Sequence, residues 1–406
     1  MEIRKLTSRQ EKLEAERVLT TAFLHDIAPQ RVGREPQEEK ENADEGYWAA
    51  FDDTGRMTAA VSTLERRLVF EKEIVPCREM HMVGSLPEAR GKGVIRALLG
   101  AILRDARESG CLFSLLMPFS TAFYRKFGFE LTARNLRQQA EIDQFAGFYC
   151  RYNVKQLDSA KDVGTVKNLY EAFSQNYNLS SVRTPLDWEY RGDGEFGQRG
   201  WYNAGRRSYT YLFYDESGLA KAYLTFSFVH GPNGPFTGTM EVSDIAFADP
   251  EALRNVFGFI YGMRAKITSV RLLLPQTLDL ALILPEGGEV RQNTEGQMML
   301  RVLDAERVLA ALNYPQDSGE FTIRIIDSFI PEWGGTWRVR FSRGRAVEVS
   351  RSEEEPDIEV REETFCQLAV GICDPEAAAY REGTLINGNR ETLERVFRKK
   401  PVFLKH

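Results

Sequence analysis

Apolar side chains recur at helical spacing over residues 9–25, where Leu13, Ala15, Val18, Leu19 and Phe23 lie on or near one face. A polar run without periodicity follows at 34–41 and reads as a loop or a solvated helix. Strands are predicted at 47–52 and 57–68, joined by an Asp-Thr-Gly turn, and at 78–83. Val94, Leu98, Ala101 and Ile102 form the apolar stripe of a second helix, which ends at Gly110. Strands at 112–117 and 131–140 complete one α/β domain, predicted over 1–147. The order strand, loop, helix, strand, Leu-x-Pro then recurs between Val242 and Pro275, so residues 148–295 read as a second copy. From 296 to 406 the pattern changes to short alternating strands at 321–329, 336–342, 346–350 and 357–360. Helical segments follow at 364–370, 375–382 and 390–397. Strands first and helices after predict a small α+β domain.

The loop between the 78–83 strand and the next helix carries the candidate chemistry. Pro87-Glu88-Ala89-Arg90-Gly91-Lys92-Gly93 leads into Val94 and Ile95, where the first helical turn has free N–H groups that attract an anion. Glycines let that anion approach the backbone, and Arg90 can add a bidentate contact. The stretch therefore reads as a diphosphate cradle formed by Val83, Gly84 and Ser85 at the strand end with Arg90, Gly91, Lys92, Gly93, Val94 and Ile95. It is not the phosphate loop of nucleotide hydrolases, which needs Lys-Ser or Lys-Thr after its last glycine, and it lacks the spacing of the dinucleotide fingerprint. In the second copy Asp249-Pro250-Glu251-Ala252 stands where the cradle would be. An acidic loop repels a diphosphate, so that copy is expected to be structural.

Composition narrows the class. The chain has 406 residues and a net charge of −6, which argues against general nucleic-acid binding and is compatible with cationic substrates as well as with plain solubility. No run is apolar enough to span a bilayer, and the N-terminus does not read as a secretion signal. Five scattered cysteines without metal-ligand spacing read as reduced thiols, so a cytoplasmic protein without a metal is expected.

The cradle fits the variant Pro-x-x-Arg-Gly-x-Gly of the acetyl-CoA loop of the GCN5-related acetyltransferases at every defined position from Pro87 to Gly93. Downstream, Leu115-Leu116-Met117-Pro118 and Phe123-Tyr124-Arg125-Lys126-Phe127-Gly128-Phe129 match the end of the same fold in the same order. Two such domains followed by an α+β tail resemble the Eis (enhanced intracellular survival) family of aminoglycoside N-acetyltransferases, whose third domain is sterol-carrier-protein-like. The resemblance implies acetyl-CoA as donor, a cationic multi-amine acceptor, and a homo-oligomer, specifically a hexamer. It implies Tyr124 as general acid and the carboxylate of the last residue, here His406, as general base. Members of that family end in an aromatic residue such as Phe, from which His406 departs. Asp26 stands near the family's acidic substrate contact, and Trp48, Met82 and Phe119 are further candidates for the acceptor pocket.

Each residue also has an ordinary structural reading. Tyr124 can be a packed core tyrosine, Asp26 a helix-end residue, His406 a frayed end, and Trp48, Met82 and Phe119 core. His81 can be a base or a satisfied strand histidine, and Trp333 and Trp337 can line a cavity in the tail or fill its core. The functional readings are an N-acetyltransferase acting on an aminoglycoside-like amine, the same enzyme acting on a protein lysine or polyamine, or an acetyl-CoA-regulated protein that binds an apolar ligand.

Overall fold

Side chains alternate between two faces along the first strands. β2 (Glu45–Phe51) sends Trp48 and Ala50 to one core and Tyr47, Ala49 and Phe51 to the other. β3 (Met57–Phe70) sends Ala59 and Val61 to the first core and Ala60 to the second, and a register irregularity at Thr58 puts Met57 with Ala60. Period two with both faces apolar is what a sheet covered on both sides requires. The computed structural model describes residues 1–24, 45–157, 162–188, 208–231 and 234–404. The chain divides into two compact units, Met1–Thr132 with Gln297–Lys400, and Ala133–Gly296 with the chain from Pro401.

In the first unit, β1 (Glu2–Lys5), β2, β3 and β4 (Glu73–Ser85) pair antiparallel in sequence order. β4 then pairs in parallel with β5 (Phe113–Leu116). A parallel pair needs a long crossover, and helix α2 (Val94–Glu108) supplies it. Helix α1 (Arg9–Ala22), capped by Ser8, buries Ala15, Val18 and Leu19 on one face of the sheet. α2 buries Val94, Leu98, Leu99, Ile102, Leu103 and Ala106 on the other. A fully buried leucine contributes about 1.5–3 kcal/mol, so α2 is held mainly by that stripe. Met299–Val302, at the end of β12 (Arg291–Val302), line the far edge of β5 antiparallel.

β4 extends past the predicted 78–83 strand at both ends and includes Pro76. Leu112 donates its amide to the Pro76 carbonyl, so the missing Pro76 N–H faces the β5 side, where register pairing starts only at Cys77. A proline is tolerated at such an edge.

The tail's four predicted strands and three predicted helices are present, but a helix at Ala305–Ala311 precedes the strands and a short strand at Leu385–Ile386 lies among the helices, neither of which the sequence pattern predicts. Its sheet has the order β15 (Arg345–Arg351), β14 (Gly335–Ser342), β13 (Gly319–Ile326), β16 (Ile358–Arg361) and β17 (Leu385–Ile386). Helices α7 (Ala305–Ala311), α8 (Glu362–Val370), α9 (Pro375–Ala378) and α10 (Arg390–Val396) accompany it. Trp337 is fully buried in the tail. Trp333 packs instead on the acetyl-domain side of the same unit, against the α2 core.

The second unit repeats the strand plan. Its order is β6 (Glu130–Glu141), β11 (Ile267–Leu274), β10 (Gly234–Phe247), β9 (Ala220–Gly231), β8 (Ser208–Tyr214) and β7 (Asn153–Gln156). β9 and β10 are antiparallel, β10 and β11 parallel, and helix α6 (Pro250–Gly262) makes the crossover, matching β3, β4, α2 and β5. Helices α4 (Val163–Ser174) and α5 (Pro185–Trp188) cover it. The chain end belongs to this unit. Phe403 is buried near Phe173 and Tyr177, Ser180 donates to its carbonyl at 2.9 Å, and Asn135 donates to the carbonyl of Leu404.

Among the described residues no helix is long and apolar enough to cross a membrane, and no group of three or more potential ligands could hold a metal.

Candidate active site

The cradle begins where two strands part. β4 and β5 are in register from Cys77–Phe113 to Met80–Leu116, and no further. One step later β4 bulges: Thr63 of β3 faces Met80 and Ser62 faces Met82, with His81 as the extra residue. A bulge bends the strand it interrupts. From Met82 to Ser85 the β4 edge on the β5 side has no strand partner in that register, while the other edge stays paired to β3 through Ala59–Ser85.

After β4, a 3-10 turn at Pro87–Ala89 leads to Arg90, and Gly91 and Gly93 both take left-handed backbone angles, φ +76° and +75°. A Cβ added to either would meet nothing within 4 Å, so these glycines border open space. Gly93 caps α2 without any side-chain hydrogen bond. The first amide of the helix with a carbonyl partner is that of Ala97, bonded to the Gly93 carbonyl at 3.1 Å. The amides of residues 91 to 96 have no acceptor among the described residues. A main-chain N–H seeks an acceptor, and six in succession across the loop end and the first turn of α2 can bind an anion. Arg90 and Lys92 are exposed beside it. The residues therefore fit the diphosphate of coenzyme A.

The equivalent helix start in the second unit is occupied by the protein itself. Asp249 accepts the Ala252 amide at 2.8 Å, and Pro250 has no N–H to offer. A fixed carboxylate at the helix N-terminus takes the place an incoming anion would need.

Tyr124 sits on the short helix α3 (Thr121–Arg125), started by Ser120, whose hydroxyl accepts the Phe123 amide at 3.3 Å. It is 3% exposed and belongs to the same core as Trp48, Met80, Val94, Leu98 and Leu116. Its ring is edge-on to Phe119 at 5.5 Å, to Phe123 at 5.1 Å and to Phe129 at 6.2 Å. Burial pushes the phenol up to about 12, which keeps it protonated and able to donate at neutral pH. The hydroxyl has no hydrogen-bond partner among the described residues.

The other sequence candidates divide. Val83 packs on the Tyr124 core and Phe119, 69% exposed, lies over Tyr124. Trp48 faces the same core, and its indole N–H is buried without a partner among the described residues. Met82 points to the opposite face of the sheet, against the α1 core, as strand alternation from Val83 demands. Gly84 is packed against Leu19 and Ala22 of α1, where a Cβ would come within 2.7 Å. His81 is exposed at the bulge, its Nδ1 3.9 Å from Glu79. Asp26 and His406 lie outside the described residues.

Sequence reasoning missed two charged residues behind the Tyr124 turn, Glu130 and Arg301, both with 0% exposure. Their signal was present: a glutamate between Phe129 and Leu131, and an arginine inside Met298-Met299-Leu300-Arg301-Val302. A charge in an apolar strand is buried only with partners.

Residues 2–132 match the model of an acetyltransferase (GNAT) domain, residues 179–302 that of a second acetyltransferase (GNAT) domain, and residues 305–405 that of a sterol carrier protein domain. No curated protein matches the chain significantly. Among solved structures it resembles a GCN5-related N-acetyltransferase from Anabaena variabilis, at 17% identity and TM-score 0.82 over 99% of each chain. It also resembles Eis1 from Mycobacterium abscessus, at 19% identity and TM-score 0.79 over 99% of this chain and 98% of the other. A GCN5-related N-acetyltransferase from Kribbella flavida matches at 20% identity and TM-score 0.75, over 99% of this chain and 97% of that one. At these identities the likeness is one of fold.

Proposed function

We propose, for a chain that belongs to the GCN5-related acetyltransferases and carries two of their domains ahead of a sterol carrier protein domain, that it moves the acetyl group of acetyl-CoA directly to amines of a cationic, aminoglycoside-like small molecule. The observation that carries the reading is the row of unengaged amides at residues 91 to 96, with a protonated phenol at Tyr124 on the same core face. The net charge of −6 is compatible with a cationic acceptor and equally with plain solubility.

Acetyl-CoA, when bound, supplies an acyl carbon activated as a thioester. The cradle amides and Arg90 hold the diphosphate, which fixes the distance to the opening between β4 and β5. The unpaired β4 edge near Val83 and Gly84 offers an N–H to the carbonyl oxygen as negative charge develops there. The acceptor amine has an ordinary pKa of about 10 and must lose a proton to attack. In this reading the His406 carboxylate takes that proton. The new C–N bond forms as the C–S bond breaks, Tyr124 gives its phenolic proton to the departing sulfur, and the second proton lost by the acylated nitrogen restores the phenol. No acyl-enzyme is needed.

A thiol-release assay over a panel of amines tests the proposal. Release of CoA with multi-amine aminoglycosides, at higher kcat/KM than with lysine peptides or linear polyamines, is expected. Faster turnover of peptides or polyamines would move the acceptor class, and no release with any cationic amine would reject the reading.

A further inference from the structure

Tyr124 is held from behind by a buried charged cluster that the tail completes. The Tyr124 carbonyl accepts the amides of Phe127 and Phe129 at 3.0 and 3.3 Å, so the residue that bears the phenol also closes the turn after it. The outward carbonyl of that turn, Phe127, accepts Nη1 of Arg301 at 2.7 Å. Gly128, at φ +75°, makes this approach possible: a Cβ there would lie 1.5 Å from Arg301 Nη1. The glycine of the Phe-Gly-Phe segment is thus needed for the arginine as well as for the backbone.

Arg301 comes from β12 and is completely buried. Its Nη2 donates to Asp327 Oδ2, and Glu362 Oε1 is 3.9 Å from Nη1. Asp327 is itself fixed, its other oxygen accepting the amides of Phe329 and Ile330 at 3.1 and 2.7 Å. Glu362 accepts the amide and hydroxyl of Ser328 at 3.0 and 2.8 Å. The same loop reaches the cradle helix. Phe329 lies edge-on to Phe127 at 5.3 Å and under the guanidinium of Arg96 at 4.8 Å, and Trp333 lies under Arg107 at 4.9 Å.

A buried ion cluster adds little net stability over a well-packed apolar one, so stability alone does not account for it. What it provides is fixed geometry at a site where displacement is costly. We infer that Arg301, held by Asp327 and Glu362 of the tail, is a positioning residue that sets the place of the Tyr124 hydroxyl. The sterol-carrier-like tail thereby works as a brace for the acetyltransferase site. The inference rests on the reading of Tyr124 as the acid.

The test is a double-mutant cycle on the full chain with Arg301→Met and Tyr124→Phe, reading kcat, acetyl-CoA KM and the melting temperature. Arg301→Met is expected to lower kcat on the order of 10- to 100-fold with little change in acetyl-CoA KM. In the Tyr124→Phe background the same change should cost less than about twofold, because the group it positions is gone. Arg301→Lys, which keeps the charge and one hydrogen bond, should recover part of kcat. If Arg301→Met does not fold, Asp327→Asn takes its place in the cycle with the same expectations. Equal losses in both backgrounds, or a folded Arg301→Met enzyme with unchanged kcat, would overturn the positioning role while leaving Tyr124 as acid. An unchanged kcat in Tyr124→Phe alone would remove the acid reading and this inference with it.

Discussion

Replacing Gly93 by alanine separates backbone strain from ligand contact. Gly93 is left-handed, at φ +75° and ψ 7°, so an L side chain there costs about 1 kcal/mol. A unit of this size loses roughly 2–4 °C in melting temperature per kcal/mol. The new Cβ meets no protein atom within 4 Å, so nothing else in the protein opposes it. If the loop keeps its shape when ligand binds, the strain is present in free and bound states alike and cancels from the affinity. What remains is the methyl group standing where a diphosphate oxygen would approach the amides. Loss of one charge-assisted hydrogen bond costs about 1.5–3 kcal/mol, or about 10- to 150-fold in Kd. Isothermal titration with CoA measures this, and scanning calorimetry measures the strain. Gly110→Ala is the control: φ is +87°, the space is also open, and the residue follows the far end of α2. It should lose similar stability with no change in Kd. A Gly93→Ala protein that is destabilised yet binds CoA as tightly as the parent would refute the cradle.

Tyr124→Phe should lower kcat by about 10²-fold with acetyl-CoA KM little changed, by steady-state kinetics, and an unaltered kcat would exclude the acid role. Arg90→Ala should raise acetyl-CoA KM about tenfold and leave kcat within about twofold, since a phosphate contact holds ground and transition states alike. Residues added after His406 should abolish turnover without changing CoA binding, and full activity in such an enzyme would remove the terminal carboxylate as base. Glu363 is pushed up to about 7 by burial and by its neighbour Glu362, from an ordinary 4.5. Between those values the folded state binds the extra proton, so stability falls as pH rises from about 4.5 to 7. Glu363→Gln should therefore be more stable than the parent at pH 8 by about 1 kcal/mol, after discounting for partial exposure, and the gain should fade toward pH 4.5. A denaturation difference independent of pH would contradict this.

Local chemistry made the cradle legible. Gly91 and Gly93 take left-handed backbone angles that favour glycine, and they stand in one short segment, so this feature is visible in the sequence alone. The stripe of α2 and the tail's strands were legible for the same reason, since their periods are local. The length of β4 was not, because a proline is unfavourable inside a paired strand, and only the pairing shows that its missing N–H lies where the β5 register has not yet begun. β12 was missed because its partner β5 lies about 180 residues earlier in the chain, and pairing at that range leaves no periodic trace. The split of Met82 from Trp48 and Phe119 was within reach, since Val83 and Met82 are adjacent on one strand and must face opposite ways. Arg301 and Glu130 stand in apolar runs, which hints at burial, but only their partners in three dimensions show what holds them.

The most direct test of the account is a crystal structure of the full chain with CoA. The diphosphate oxygens are predicted to accept hydrogen bonds from amides within residues 91 to 96, with the thiol end lying between β4 and β5 near Tyr124. A diphosphate bound at the start of α6, or at any other place with the amides of residues 91 to 96 left unengaged, would contradict it.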